Sequence, residues 1–141
     1  MSTAAHRPAD FVAGRDYPSP VVRVVALGFY DGPTDGVLQT ADGTAYRFDL
    51  AGEEYNPDGL DDRTFLLRPL PPGAFEEVAD LLAPAGRPEA AVWVPRWPVA
   101  PSDRQAEIDR RLDALLASAG PPAWQVHCRS LTDTVSAAPA A

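Results

Sequence analysis

An α+β fold is predicted by three features of the chain. These are a valine-rich stretch whose two alternating residue sets are both apolar, an Asp-Gly pair between strand-like runs, and two later segments with apolar residues at helical spacing. Together they give an antiparallel meander of three strands followed by strand, helix, strand, helix and strand: one mixed sheet with two helices packed on it. The chain has 141 residues, 45% of them hydrophobic and 23% charged, enough for one domain at 21–130 with a buried core.

Residues 1–20 hold three prolines, small residues and balanced charge without periodicity, and read as a flexible N-terminal arm. Val21 to Tyr30 is a strand covered on both faces, with Val22, Val24, Ala26 and Tyr30 on one side and Val21, Val25, Leu27 and Phe29 on the other. Gly28 marks a bulge or a close backbone approach. Asp31 to Gly36 is dense in turn formers, and Val37 to Thr40 is a short strand running into Asp42-Gly43. With those two residues as a type I′ turn, Val37 pairs with Phe48 and Gln39 with Tyr46; Tyr46, Phe48 and Leu50 share one face, Arg47 and Asp49 the other.

Thr64 to Arg68 is the next strand and Pro72 to Ala83 a helix, with proline near its start, Glu76 and Glu77 early, and Phe75, Val78, Ala79 and Leu82 on one stripe. Ala91 to Val94 is a strand. Ser102 to Ala119 is a helix with a Ser102–Gln105 capping box, an Ile108, Leu112, Leu115, Leu116 stripe and a Gly120-Pro121-Pro122 stop. Ala123 to Ser130 is the last strand, and 131–141 read as a flexible C-terminal tail. One core of Phe48, Phe65, Val78, Leu82, Val92, Leu112, Leu116, Trp124 and Val126 follows from these periodicities. No repeat of period 20 to 50 is visible.

The composition excludes several functions. Twelve basic residues against twenty acids give a net charge of -8, the wrong sign for neutralising phosphates, so nucleic acid is not expected as a partner. One cysteine makes no intramolecular disulfide, and with two histidines it does not fill a structural zinc site; no metal or other cofactor is expected, and the setting reads as cytoplasmic. No secretory signal is recognisable, and the longest apolar run, Val24 to Tyr30, is far short of the roughly 20 residues that span a bilayer. Every basic residue is arginine, in keeping with GC-rich coding, so neither Schiff-base chemistry nor a phosphate-loop lysine is possible. The G-x-S-x-G, H-E-x-x-H and G-x-G-x-x-G patterns are absent too.

Charge is concentrated. Between residues 31 and 62, nine acids (Asp31, Asp35, Asp42, Asp49, Glu53, Glu54, Asp58, Asp61, Asp62) face Arg47 alone, while the flanking segments are close to neutral. Such a run is a solvated face, a steering field for a basic partner, or a hard-cation site. The stretch Asn56 to Asp62 lacks the alternating acids and closing glutamate of a calcium loop. His127 and Cys128 are neighbours on a strand and so face opposite sides, with Trp124, Val126 and Cys128 on the apolar side, which excludes a mutual dyad. Trp93 to Pro98 brackets Arg96 with two tryptophans, residue types that dominate interface energetics.

The reading that follows is a non-enzymatic interaction protein that docks on or masks a basic protein partner. Its contact residues are Glu53, Glu54, Asp58, Asp61 and Asp62, joined by Trp93, Arg96 and Trp97 if that segment is exposed. The alternative is a small enzyme or ligand-binding domain with a carboxylate-lined pocket from Tyr30, Asp31, Asp49 and Glu53.

Overall fold

The computed structural model describes residues 5–6, 21–30, 32–55, 61–86 and 92–128. Nine valine-rich residues, apolar on both sides, form β2 (Val21–Phe29), which lies inside a sheet. The other strands are β1 (Ala5–His6), β3 (Pro33–Thr40), β4 (Ala45–Tyr55), β5 (Asp61–Pro69), β6 (Val92–Trp93) and β7 (Trp124–Cys128). Helix α1 spans Ala74–Leu81, followed by a 3-10 turn at Ala83–Ala85, and α2 spans Ser102–Ala117. The seven strands are ordered β1-β7-β5-β4-β3-β2-β6. β2 to β5 form the antiparallel meander, one strand longer than the three expected, because β5 starts at Asp61 and pairs along β4. β7 adds antiparallel to β5 and β6 parallel to β2, so the sheet is mixed and the fold is α+β. Ala5 and His6 pair with Val126 and Gln125, so part of the predicted arm is an edge strand; residues 1–4, 7–20 and the 131–141 tail lie outside the described residues.

The β3–β4 turn differs from expectation by one residue. The Thr40 carbonyl accepts from Gly43 N (2.9 Å), Thr40 N donates to the Thr44 carbonyl (3.0 Å), and Gly43 sits at φ 90°. That is a three-residue loop ending in a left-handed glycine instead of a two-residue type I′ turn. Asp42 holds it, accepting from Thr40 Oγ1 (2.6 Å) and Thr44 N (3.0 Å). The register therefore pairs Gly36 with Phe48, Val37 with Arg47 and Leu38 with Tyr46. A slip of one residue exchanges faces: Leu38 joins Tyr46 and Phe48, and Val37 faces the helices.

Two cores result, one on each side of the sheet, in place of the single core expected. Val25, Val37, Ala45 and Leu70 pack with Ala74, Phe75, Val78, Leu82 and Leu112 under the helices, with Leu116 and Trp93 at the margin. On the opposite face Val21, Val24, Leu38, Tyr46, Phe48, Phe65, Leu67 and Val126 form the second cluster, with Val92 and Trp124 partly buried against it. Phe48 and Phe65 meet edge to face, their centroids 6.1 Å apart. Val21 lies on the Val24 side because the register shifts between Val21 and Arg23, which breaks the simple alternation.

Two glycines permit this packing. A Cβ on Gly36, at φ 149°, would lie 2.0 Å from the Val25 carbonyl oxygen, and one on Gly28 would lie 2.1 Å from Asp35 Oδ1. The first is a close backbone approach, the second a contact with the Asp35 and Thr34 side chains, and Gly28 sits at register shifts, the bulge its position in a strand suggested. Helix α1 begins two residues later than predicted because Gly73, at φ 84°, is not helical. The Ser102 capping box does not form. Pro101 is the N-cap, and the buried Gln105 reaches past the helix start, accepting from Val99 N (2.8 Å) and Ala100 N (3.1 Å) while donating to Asp109 (2.8 Å).

Candidate functional site

β4 carries its acids beyond the core, as far as Tyr55. A bulge between Leu50 and Gly52 shifts the register, after which Glu53 pairs with Arg63, Glu54 with Asp62 and Tyr55 with Asp61. The acidic segment is thus built largely of two paired strands, not of a loop. Glu54 and Asp62 occupy one register position with like charge, as do Asp35 and Asp49 in the β3–β4 pair. Like charges directly opposite are destabilising. Arg47 offsets the second case: its Nε lies 2.9 Å from Asp49 Oδ2 and its Nη1 donates to the Leu116 carbonyl at the end of α2 (3.2 Å).

The same bulge separates the residues of the expected carboxylate pocket. Uninterrupted alternation would put Asp49 and Glu53 on one face. With the extra residue, Asp49 stays with Arg47 on the helix side, while Glu53 turns to the other side and accepts from Arg63 Nε (3.0 Å). Tyr30 is tied to this site through its backbone, whose carbonyl accepts from Arg63 Nη2 (2.5 Å). Asp31 and Asp58 lie outside the described residues.

Arg63 is the residue that sequence reasoning missed. Its side chain is only 3% exposed, and it ties the β2–β3 turn to the acidic arm of β4. Among the described residues its Nη1 is buried without a hydrogen-bond partner. The signal was present, since Arg63, Phe65 and Leu67 alternate onto one buried face, but it was hidden by placing the strand start at Thr64. Around this buried cation the surface is aromatic and acidic: Phe29 is 56% and Tyr30 73% exposed, and the Glu53 side chain 47%.

The Trp93 segment divides. Trp93 packs at the edge of the helix-side core, whereas Val94, Arg96 and Trp97 are exposed, Trp97 by 46%. His127 and Cys128 occupy successive register positions opposite Thr64 and Arg63. Among the described residues no group of three His, Cys, Asp or Glu could hold a metal ion. Two open grooves, of about 560 and 360 Å³, run between α1 and α2 and share Arg111; neither is lined by a residue of the acidic segment.

Two groups are held away from their ordinary values. The Thr40 hydroxyl and the Thr44 amide hold the Asp42 carboxyl below the usual aspartate range, which is turn chemistry. Burial pushes the Tyr46 hydroxyl up, opposed in part by its bond to the Trp124 side chain. No helix of the described residues is long and apolar enough to cross a membrane. Comparison with protein-family models, with curated proteins and with solved structures finds no match to this chain.

Proposed function

We propose that this chain is a non-enzymatic interaction protein that docks on a basic protein partner through the acidic β4–β5 hairpin. The observation that carries the reading is the register of that hairpin, which sets Glu53, Glu54, Asp61 and Asp62 on three successive rungs of the β4–β5 pair, Glu53 opposite Arg63, Glu54 opposite Asp62 and Asp61 opposite Tyr55. Two paired strands set the backbone of these residues at fixed register positions, and a cationic surface suits like charge placed opposite on a sheet. The separation of Asp49 from Glu53 removes support for a shared carboxylate pocket. The net charge of -8 argues against a nucleic-acid partner, and the single cysteine suits a reducing cytoplasmic setting.

The test is the association rate with a labelled cationic peptide, followed by stopped flow at increasing salt. Steering predicts a steep fall with ionic strength, since exposed charges are screened over about 8 Å at physiological salt. Reversing Glu53, Glu54, Asp61 and Asp62 to lysine should slow association far more than it changes the melting temperature. A rate indifferent to both salt and these four charges overturns the proposal.

A further inference from the structure

Beside the acidic hairpin stands the tip of the β2–β3 hairpin, where two consecutive aromatic residues, Phe29 and Tyr30, are more than half exposed. This tip is held from below. The buried Arg63 guanidinium donates to the Tyr30 carbonyl and to the Glu53 carboxylate, so one rigid side chain fixes the aromatic backbone against the acidic strand. Tyr30 N also donates to the Gly32 carbonyl (2.9 Å), closing the turn. An exposed aromatic pair that is already ordered presents anchor surface at low entropic cost on binding.

Aromatic faces next to carboxylates discriminate between cations. A guanidinium is planar, weakly hydrated, and able to stack on a ring while its edge pairs with a carboxylate; an ammonium does this less well. The same chemistry operates within the molecule: Arg23 lies 4.4 Å over the Phe75 ring centroid while pairing with Glu76 and donating to Gln39 (2.6 Å).

Resting on the docking reading above, we infer that the Phe29–Tyr30 tip is the aromatic anchor of that surface and selects a partner segment rich in arginine over one rich in lysine. The acids supply attraction to any cation, and the rings supply the preference.

The experiment titrates two labelled peptides of equal length and charge, one arginine-rich and one lysine-rich. They are tested against the full chain, the Phe29→Ala/Tyr30→Ser variant and the Glu53→Gln/Glu54→Gln/Asp61→Asn/Asp62→Asn variant, with circular dichroism confirming that each is folded. The wild type should bind the arginine peptide about three- to fivefold more tightly, the size expected for stacking at an exposed site. The tip variant should bind both peptides alike, and the neutralised variant should lose both. Equal binding of the two peptides by wild type, or a preference that survives in the tip variant, overturns the inference and leaves the charge-based reading standing. Undiminished binding by the neutralised variant overturns both. A further arm adds phosphatidylcholine vesicles without peptide; adsorption that depends on Phe29 and Tyr30 would make the tip a lipid anchor and also overturn the inference.

Discussion

Arg63 combines two effects usually treated apart, a buried charge and a structural tie. Its guanidinium is almost fully removed from water, yet its ion-pair partner Glu53 is half exposed, so solvent shares in compensating the pair and its net contribution is small. Arg63→Met should therefore leave stability within about 1 kcal/mol by urea unfolding, because an apolar chain of similar length fills the same space. Arg63→Ala should cost roughly 2–4 kcal/mol through the cavity it opens. The methionine variant should nonetheless show faster amide exchange at Tyr30, which loses the strut under its carbonyl. Tyr46 gives a pH prediction. Burial raises its folded-state pKa above the unfolded value of about 10, so the neutral hydroxyl stabilises the fold fully below that pH and the contribution is lost as pH rises through the raised value. Tyr46→Phe should remove part of the alkaline fall in stability, measured by denaturant unfolding between neutral pH and about pH 11.

Within the elements, backbone approach decides which substitutions are tolerated. Gly36 and Gly43 both have positive φ, but a Cβ at Gly36 would strike the Val25 carbonyl, whereas at Gly43 nothing lies within 4 Å. Gly43→Ala should cost about 1–2 kcal/mol for the left-handed backbone alone, while Gly36→Ala adds a backbone clash in mid-sheet and should fail to fold or lose several kcal/mol by thermal unfolding. This contrast bears on what the sequence made legible. The cores of β2 to β7, both helices and their stripes followed from periodicity because solvent and core impose period 2 or 3.6 directly on residue choice, whereas β1, read as part of an arm, and the start of β3 at Pro33, read as a turn, did not. The β3–β4 register did not, since Asp-Gly serves a two-residue and a three-residue turn equally well, and only the hydrogen bonds of Asp42 decide between them. Nor did the bulge after Leu50, which leaves no mark on composition yet sends Asp49 and Glu53 to opposite faces. The capping box failed because Pro101 took the N-cap position and freed Gln105 to bind the chain ahead of the helix.

At the scale of the whole molecule, local periodicity could not distinguish one core from two. That distinction depends on which strand faces the helices cover, and α2 runs from β6 at one edge to β7 near the other, covering only the side of Val25 and Val37. The charge distribution was legible at once, because a net charge of -8 confined to residues 31–62 is a property of counting alone. Its cost was not. Glu54 and Asp62 share one register position, where like charge is unfavourable, while at the Asp35–Asp49 position Arg47 offsets it. Stability should accordingly rise with added salt, opposite to the salt response expected for binding. Glu54→Gln/Asp62→Asn should raise the melting temperature by a few degrees at low ionic strength and flatten its salt dependence, while weakening association with a cationic peptide. Melting curves and binding isotherms over one salt series check both halves. A double variant that melts lower than wild type at low salt would show that the hairpin charges are already compensated within the fold, and a variant that gains stability without losing binding would show that the strain has no link to a partner.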